Sequence, residues 1–427
     1  MTLAAPARAP ADYSDDAAFV ELHLRRNIVT LGLDLGLFLV GLSLASYSTI
    51  LPAFVASLGA PNVVVGAIPA VMTAGWYLPA LFAAGHTEAL AQKLPFILRY
   101  TLWERVPLLG LAAVAFFVAG PGPVLAQVLV LLMLLAMTGV GGLLMPAWMD
   151  VVGRAIPTRL RGRFFAGASL LGSGGGLLGA MATTYILRSI SGPAAYGVCF
   201  LLSALFMALS FAALAAVREP PAGTPAPTVE LSAYLRRIPG LLRRDVNLSW
   251  FIVGRAGAAF GMMASGFYAV YALARLGAPD WMVGVFTAAL LVGQTIGQLG
   301  FGWLADRVGH RSVIIIGVGA TVAANALALT TGSLDLFLLV FVLSGLQFAA
   351  LHVSWLSILL EFAPSAEERP TYLGVGNTFL APAMATAPLL AGLMADTVGF
   401  RPIFGLALAC GLLALAILTT KVRDPRA

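Results

Sequence analysis

The sequence predicts an all-α membrane protein, twelve spanning helices arranged as two related six-helix bundles, and three observations carry that reading. The first is composition. Of 427 residues, 60% are hydrophobic and 10% charged, with a mean hydropathy of +0.93, whereas ordinary soluble domains are about 25% charged. The main solvent of such a chain is lipid. The second is a repeat: LGAPNVVVG at residues 58–66 returns as LGAPDWMVG at residues 276–284, an offset of 218. Without a gap, that register lays Arg25-Arg26-Asn27 over Arg243-Arg244-Asp245 and Gly75 over Gly293. Later, Trp148 stands nine residues before Pro157 and Trp355 nine before Pro364, at an offset of 207, so the first half carries about eleven extra residues in between. A duplicated unit of roughly 200 residues accounts for both offsets. The third observation is a succession of apolar runs, each long enough to cross a hydrocarbon layer of ~30 Å as a helix rising 1.5 Å per residue.

Taken in order, the chain opens with 27 residues that include Asp12, Asp15, Asp16 and Glu21. This segment is too long and too mixed in charge for a secretory leader, and the apolar run after it is far longer than a leader's, so it is expected to be a retained first helix. The first bundle is expected over 28–217, with spans at 28–57, 62–85, 97–119, 122–149, 164–187 and 194–217. Residues 218–245, which include PPAGTPAPT and then a basic stretch, read as the linker, with a short amphipathic surface helix around Tyr234 to Leu242. The second bundle is expected over 246–420, with spans at 246–274, 280–304, 312–331, 335–360, 371–396 and 402–420, followed by a tail at 421–427.

The basic balance, +6 with a pI of about 9.6, follows from this layout. Nineteen of 25 Lys and Arg residues fall on the side of the termini, three (Arg188, Arg275, Arg401) on the other side, and three (Arg99, Arg105, Arg255) within spans. By the positive-inside rule both termini are expected in the cytoplasm, in a bacterial inner membrane. Nucleic-acid binding would need the basic residues clustered on one soluble face with aromatics among them, and they are not. The two cysteines lie singly in apolar stretches and His352 has no second ligand nearby, so no metal site and no cofactor are expected.

After the eighth span comes Gly302-Trp303-Leu304-Ala305-Asp306-Arg307-Val308-Gly309-His310-Arg311. This resembles the G-x-L-A-D-R-x-G-R-R motif of the major facilitator superfamily, with His310 in place of the usual basic residue. The matching loop of the first half, Gly85 to Lys93, keeps little of the pattern. Together with twelve spans in two related halves, the resemblance covers the whole chain. It implies a secondary transporter: two bundles rocking about a small-molecule site near the bilayer midplane. It further implies a monomer in the lipid bilayer, driven by a gradient since no nucleotide-binding loop is present, with protons as a coupling ion left open. Gly302 is expected to admit a neighbouring helix closely, and Gly309 to form the turn of a five-residue loop. Asp306 is expected to accept from a helix N-terminus or an arginine beside Arg161 and Arg163, while Arg307 and Arg311 complete the motif. Arg154 and Glu361 fall at equivalent places with opposite charges; a gate across the cytoplasmic mouth and two separately solvated ends are both open readings. A membrane enzyme finds no support, since no His-Glu-x-x-His or Gly-x-Ser-x-Gly is present. A receptor or scaffold on a transporter fold, or an uncoupled facilitator, remains the alternative.

Charges inside spans are costly and are functional candidates. Asp34 lies in the first span and Arg255 in the seventh, where Arg255 maps onto Leu37, one turn from Asp34. The two are expected either to face each other across the pseudo-two-fold axis, or Asp34 to pair within its own half with Arg105 or Arg99. Glu104 and Arg105 read as a structural ion pair. Gln127, Gln347, His352, Asn377, Gln294 and Gln298 complete the polar residues expected on cavity helices, and the six glycines between Gly167 and Gly179 read as a packing stripe.

Overall fold

The structure, a computed structural model, describes residues 10–88, 90–220, 238, 240–365 and 368–426. The first half comprises α1 (Pro10–Leu44), α2 (Ile50–Ser57), α3 (Asn62–Glu88), α4 (Leu94–Ala113) ending in a π-turn (Val114–Val118), α5 (Pro123–Ala155), α6 (Thr158–Ser189) and α7 (Pro193–Ala215). The second comprises α8 (Val246–Gly261), α9 (Phe267–Arg275), α10 (Met282–Val308), α11 (His310–Thr330), α12 (Leu334–Phe362), α13 (Arg369–Thr397) and α14 (Phe400–Thr420). Eleven helices are long and apolar enough to cross a membrane, and α8 with α9 makes the twelfth crossing in two pieces. Residues 221–237 and 239, which make up most of the linker and of its expected surface helix, lie outside the described residues.

The first span of each half is broken, which the uninterrupted runs at 28–57 and 246–274 do not foresee. The breaks fall at 45–49 and 262–266, in register to within one residue at the 218 offset. Their sequences, Ala45-Ser46-Tyr47-Ser48-Thr49 and Met262-Met263-Ala264-Ser265-Gly266, put Ser, Thr or Gly where hydroxyls compete for backbone groups and glycine adds freedom. The bonding departs from the α pattern accordingly, with Leu51 N donating to Ser46 O at 2.9 Å and Ser265 N to Met262 O at 3.0 Å. The repeated LGAP turns have a backbone cause: Gly59 and Gly277 sit at φ +71° and +70°, a left-handed conformation that glycine adopts without strain. The extra residues of the first half are spread out, the third span having 25 residues against 21 in its counterpart and the fourth 33 against 29.

Within each half the helices pack in equivalent pairs: α3 on α5 as α10 on α12, α1 on α7 as α8 on α14. The halves meet through α3 on α13 and α6 on α10. Among the described residues, every hydrogen bond that joins them lies near the LGAP turns. Asn62 N and Nδ2 donate to Asp396 Oδ1 at 2.8 and 2.9 Å, and Val63 N donates to Asp396 Oδ2 at 2.9 Å, so Asp396 of α13 closes the start of α3. Thr49 and Thr287 bond through their hydroxyls at 2.7 Å. A Cβ on Gly66 would stand 2.2 Å from Pro388 O, and one on Gly284 2.3 Å from Thr184 Oγ1, so backbones touch there. At the opposite end, which carries the termini, no such bond joins the halves among the described residues.

Candidate substrate and coupling sites

In the first half, α1, α4, α5 and α7 bring together a buried charged cluster. Asp34 Oδ1 accepts from Arg105 Nη2 at 3.0 Å and from Ser210 Oγ at 2.7 Å, while Oδ2 accepts from Trp148 Nε1 at 2.9 Å. Arg105 also donates through Nε to Met207 O at 3.2 Å and through Nη1 to Glu104 Oε2 at 3.4 Å, and Thr101 Oγ1 reaches the same Glu104 oxygen at 3.0 Å. All three charged residues are buried. The cluster contains two carboxyl groups and one guanidinium, so a single proton makes it neutral. Asp34 and Arg255 do not face each other as a pair: Asp34 takes the partner inside its own half, because α7 brings Ser210, and α4 Arg105, against the same carboxylate. Glu104 and Arg105 are ion-paired, but as part of this larger network.

In the second half Arg255 occupies α8 about 14 Å along the helix axis from its first residue, at 1.5 Å per residue. It is 4% exposed, its guanidinium lies 5.1 Å from the Trp355 ring centre, and its Nε and Nη1 are buried without a partner. Trp148 and Trp355 are the two tryptophans related by the 207 offset. Each holds the buried charge of its half's first span, Asp34 through a hydrogen bond and Arg255 through its ring face. The Tyr77 phenol of α3, from the other half, lies within electrostatic reach of Arg255.

Phe348, His352 and Trp355 lie on one face of α12, at spacings of four and three residues. At the top of this face Phe348 packs edge-on against Tyr47 from the α1 break, ring centres 6.0 Å apart. Below that contact His352 is exposed, and Tyr47 itself is 38% exposed. The face therefore borders a gap between the halves that opens toward the termini. The other polar residues divide. Gln294 and Gln298 are partly exposed on α10. Gln127 is not at the gap: it is buried and its Nε2 donates to Leu58 O at 3.3 Å, supporting the LGAP turn. Gln347 is likewise 2% exposed and packed inside the second half, its Nε2 3.3 Å from Met262 Sδ at the α8 break. Asn377 belongs to α13, and its side chain lies outside the described residues.

The family model of the Major Facilitator Superfamily matches residues 253–427, the second half of the chain. The structure superposes on a D-xylose-proton symporter with a TM-score of 0.68 at 16% identity, covering 93% of this chain and 98% of that one. It superposes on a bacterial homologue of the human lysosomal transporter Spinster, in an inward-facing and unoccupied conformation, with a TM-score of 0.67 at 13% identity over 96% and 97% of the two chains. The second half of the chain thus matches the major facilitator superfamily by sequence, and the whole chain shares its fold. Curated relatives include the tetracenomycin C resistance and export protein of Streptomyces glaucescens, 28% identical over 35% of this chain, and the chloramphenicol resistance protein of Pseudomonas aeruginosa, 34% identical over 28% of it. The matched stretches span 27% and 28% of those relatives' lengths.

The superfamily motif loop is tighter than its sequence suggests. Gly309 alone, at φ +85°, separates α10 from α11, in place of a five-residue loop. Gly302 meets nothing within 4 Å of an added Cβ, so it packs against no helix here. Asp306 and Arg307 are exposed, Arg307 lying 4.0 Å from the Trp303 ring centre. Arg311 donates to Leu418 O and Thr419 O, closing the end of α14. A contact not evident in the sequence comes from the tail: Arg426 donates to Ala305 O at 2.9 Å and pairs with Glu361 at 2.6 Å, and His310 lies 3.9 Å from the same carboxylate. In the first half Arg154 pairs with Glu219 and Asp150, while Arg161 donates to Gly153 O and Ile156 O at the end of α5. Arg163 is exposed. Arg154 and Glu361 are thus each paired within their own half.

Proposed function

We propose that the chain is a secondary active transporter working by alternating access, carrying a small solute across the bacterial inner membrane with both termini cytoplasmic, and that this conformation is inward-facing. One observation carries the proposal: the halves are hydrogen-bonded at the LGAP end, while the gap below Tyr47 and Phe348 opens toward the termini. The names of the relatives, one a resistance and export protein and one a resistance protein, and the likeness in fold to a sugar-proton symporter support a carrier. The Asp34-Arg105-Glu104 cluster supports proton coupling, since taking up one proton changes a buried charge that neighbouring helices must accommodate. Asp306, exposed in the open mouth, is assigned to closing that mouth in the outward-facing state, where the start of α6 offers free N–H groups beside Arg161 and Arg163.

Reconstitution into proteoliposomes under an imposed pH gradient tests this. The expected result is uptake or release of at least one member of a panel of sugars, nucleosides, organic acids and antibiotics, with Asp306→Asn slowing it at unchanged protein level. No flux for any member at confirmed insertion would point to a receptor, and full turnover in Asp306→Asn would remove the gate assignment. A reporter fused at residue 230 that is active only outside the cell would overturn the orientation.

A further inference from the structure

We infer that Arg255, backed by Trp355, is the anchor for an anionic group of the solute, a carboxylate or phosphate carried on a body with an apolar or aromatic surface. The inference rests on the transporter reading and names its substrate class. A guanidinium at mid-span is expensive to keep charged, and such groups are normally paired with an acid or with carbonyls. Arg255 has neither at Nε and Nη1. Three acids of its own half near the termini are committed elsewhere, and Asp306 is exposed at the end of α10. Asp245 accepts from Leu248 N and Tyr372 Oη, Glu361 holds Arg426, and Glu368 holds Arg244. Across the gap, Asp34 is already satisfied by three donors.

The internal repeat sharpens the contrast. Equivalent tryptophans hold one buried charge in each half, and the first half surrounds its charge with donors while the second leaves its charge without acceptors. An acceptor from outside the chain would complete these bonds, since a planar guanidinium binds carboxylate or phosphate through its N–H donors. The walls set the rest of the ligand. Trp355, half-buried and held from behind by the core residue Phe251 with ring centres 6.2 Å apart, presents an aromatic surface beside the guanidinium. Charge balance agrees with proton coupling. With both carboxyl groups ionised, the first-half cluster at one negative charge and Arg255 at one positive sum to zero. Loading one monoanion and one proton leaves the sum at zero.

The test uses the full chain purified in detergent, with benzoate, succinate and inorganic phosphate as probes and benzamide as the uncharged control. At least one anion is expected to raise the thermal midpoint saturably while benzamide does not. In Arg255→Gln the apparent affinity should fall at least tenfold, and Arg255→Lys should recover part of it. Without ligand, Arg255→Gln should be no less stable than the parent, because the cation it removes is unpaired. Stabilisation by none of the three anions, equal stabilisation by benzamide, or undiminished binding in Arg255→Gln would each overturn the inference. Spin labels at Arg159→Cys and Val308→Cys, both on the exposed mouth, separate this from the transporter reading. A mouth fixed at one distance under all conditions defeats that reading, whereas a moving mouth without Arg255-dependent binding defeats only the anion assignment.

Discussion

At the scale of single residues, Asp34 shows how a carboxylate is kept inside a membrane: three donors from three other helices converge on it. Removing one neutral donor should cost less than removing the only cation. Ser210→Ala is expected to lower stability by about 1.5–3 kcal/mol, the range for a hydrogen bond to a charged group. Arg105→Met leaves two carboxyl groups without a counter-charge and should cost about 3–5 kcal/mol, or prevent folding. Thermal unfolding in detergent should return that order, and the reverse order would mean that Arg105 is not the hub. Asp34→Asn keeps the shape and removes one titrating group, so it should fold while flux loses its dependence on the pH gradient. Unchanged gradient dependence would shift the coupling role to Glu104. The presence of an intramembrane acid was plain from the chain itself. Its partner, 71 residues away, was not decidable, because Arg99, Arg105 and Arg255 all lie within spans and only the packing of α1 against α4 and α7 selects among them.

At the scale of elements, the repeat was legible wherever a backbone requirement left a residue type behind. Gly59 and Gly277 recur because both need a left-handed φ, and Gly192 with Gly399 recurs at the 207 offset for the same reason, at φ +75° and +89°. The breaks in the first and seventh spans were not legible, since hydropathy runs through them without a dip and the Ser-Thr content alone does not say where a helix gives way. Glycine stripes were ambiguous for a related reason, since composition does not distinguish a contact from open space. A Cβ on Gly345 would stand 2.1 Å from Leu290 O, while one on Gly174 meets nothing within 4 Å. Gly345→Ala is therefore expected to push α12 from α10 and destabilise by about 1–3 kcal/mol. Gly174→Ala should stay within about 0.5 kcal/mol of the parent. Comparable losses in both variants would show that the α6 stripe packs in a second state.

At the scale of the molecule, the two-bundle plan followed from composition, spans and the internal repeat, but the conformational state is a property of contacts that no local pattern encodes. One acid supplies three of the hydrogen bonds at the closed end: Asp396 accepts from Asn62 twice and from Val63 once across the halves. Asp396→Ala is expected to weaken that closure, and a loss of only about 1.4 kcal/mol shifts the ratio of states tenfold. Spin labels flanking the LGAP turns should then report a wider population, and an unchanged distance distribution would assign the closure to the Gly66 and Gly284 backbone contacts instead. A different consequence comes from the ion pairs. Among the described residues each joins groups of one half, from Lys93 with Asp150 to Arg426 with Glu361. They travel with their bundles when the bundles tilt. Raising ionic strength, which shortens the Debye length from about 10 Å at 0.1 M to about 3 Å at 1 M, should thus loosen the ends of each bundle without breaking any of these pairs between bundles. If the bundles tilt as proposed, the balance between the two open states is expected to be nearly indifferent to simple salt.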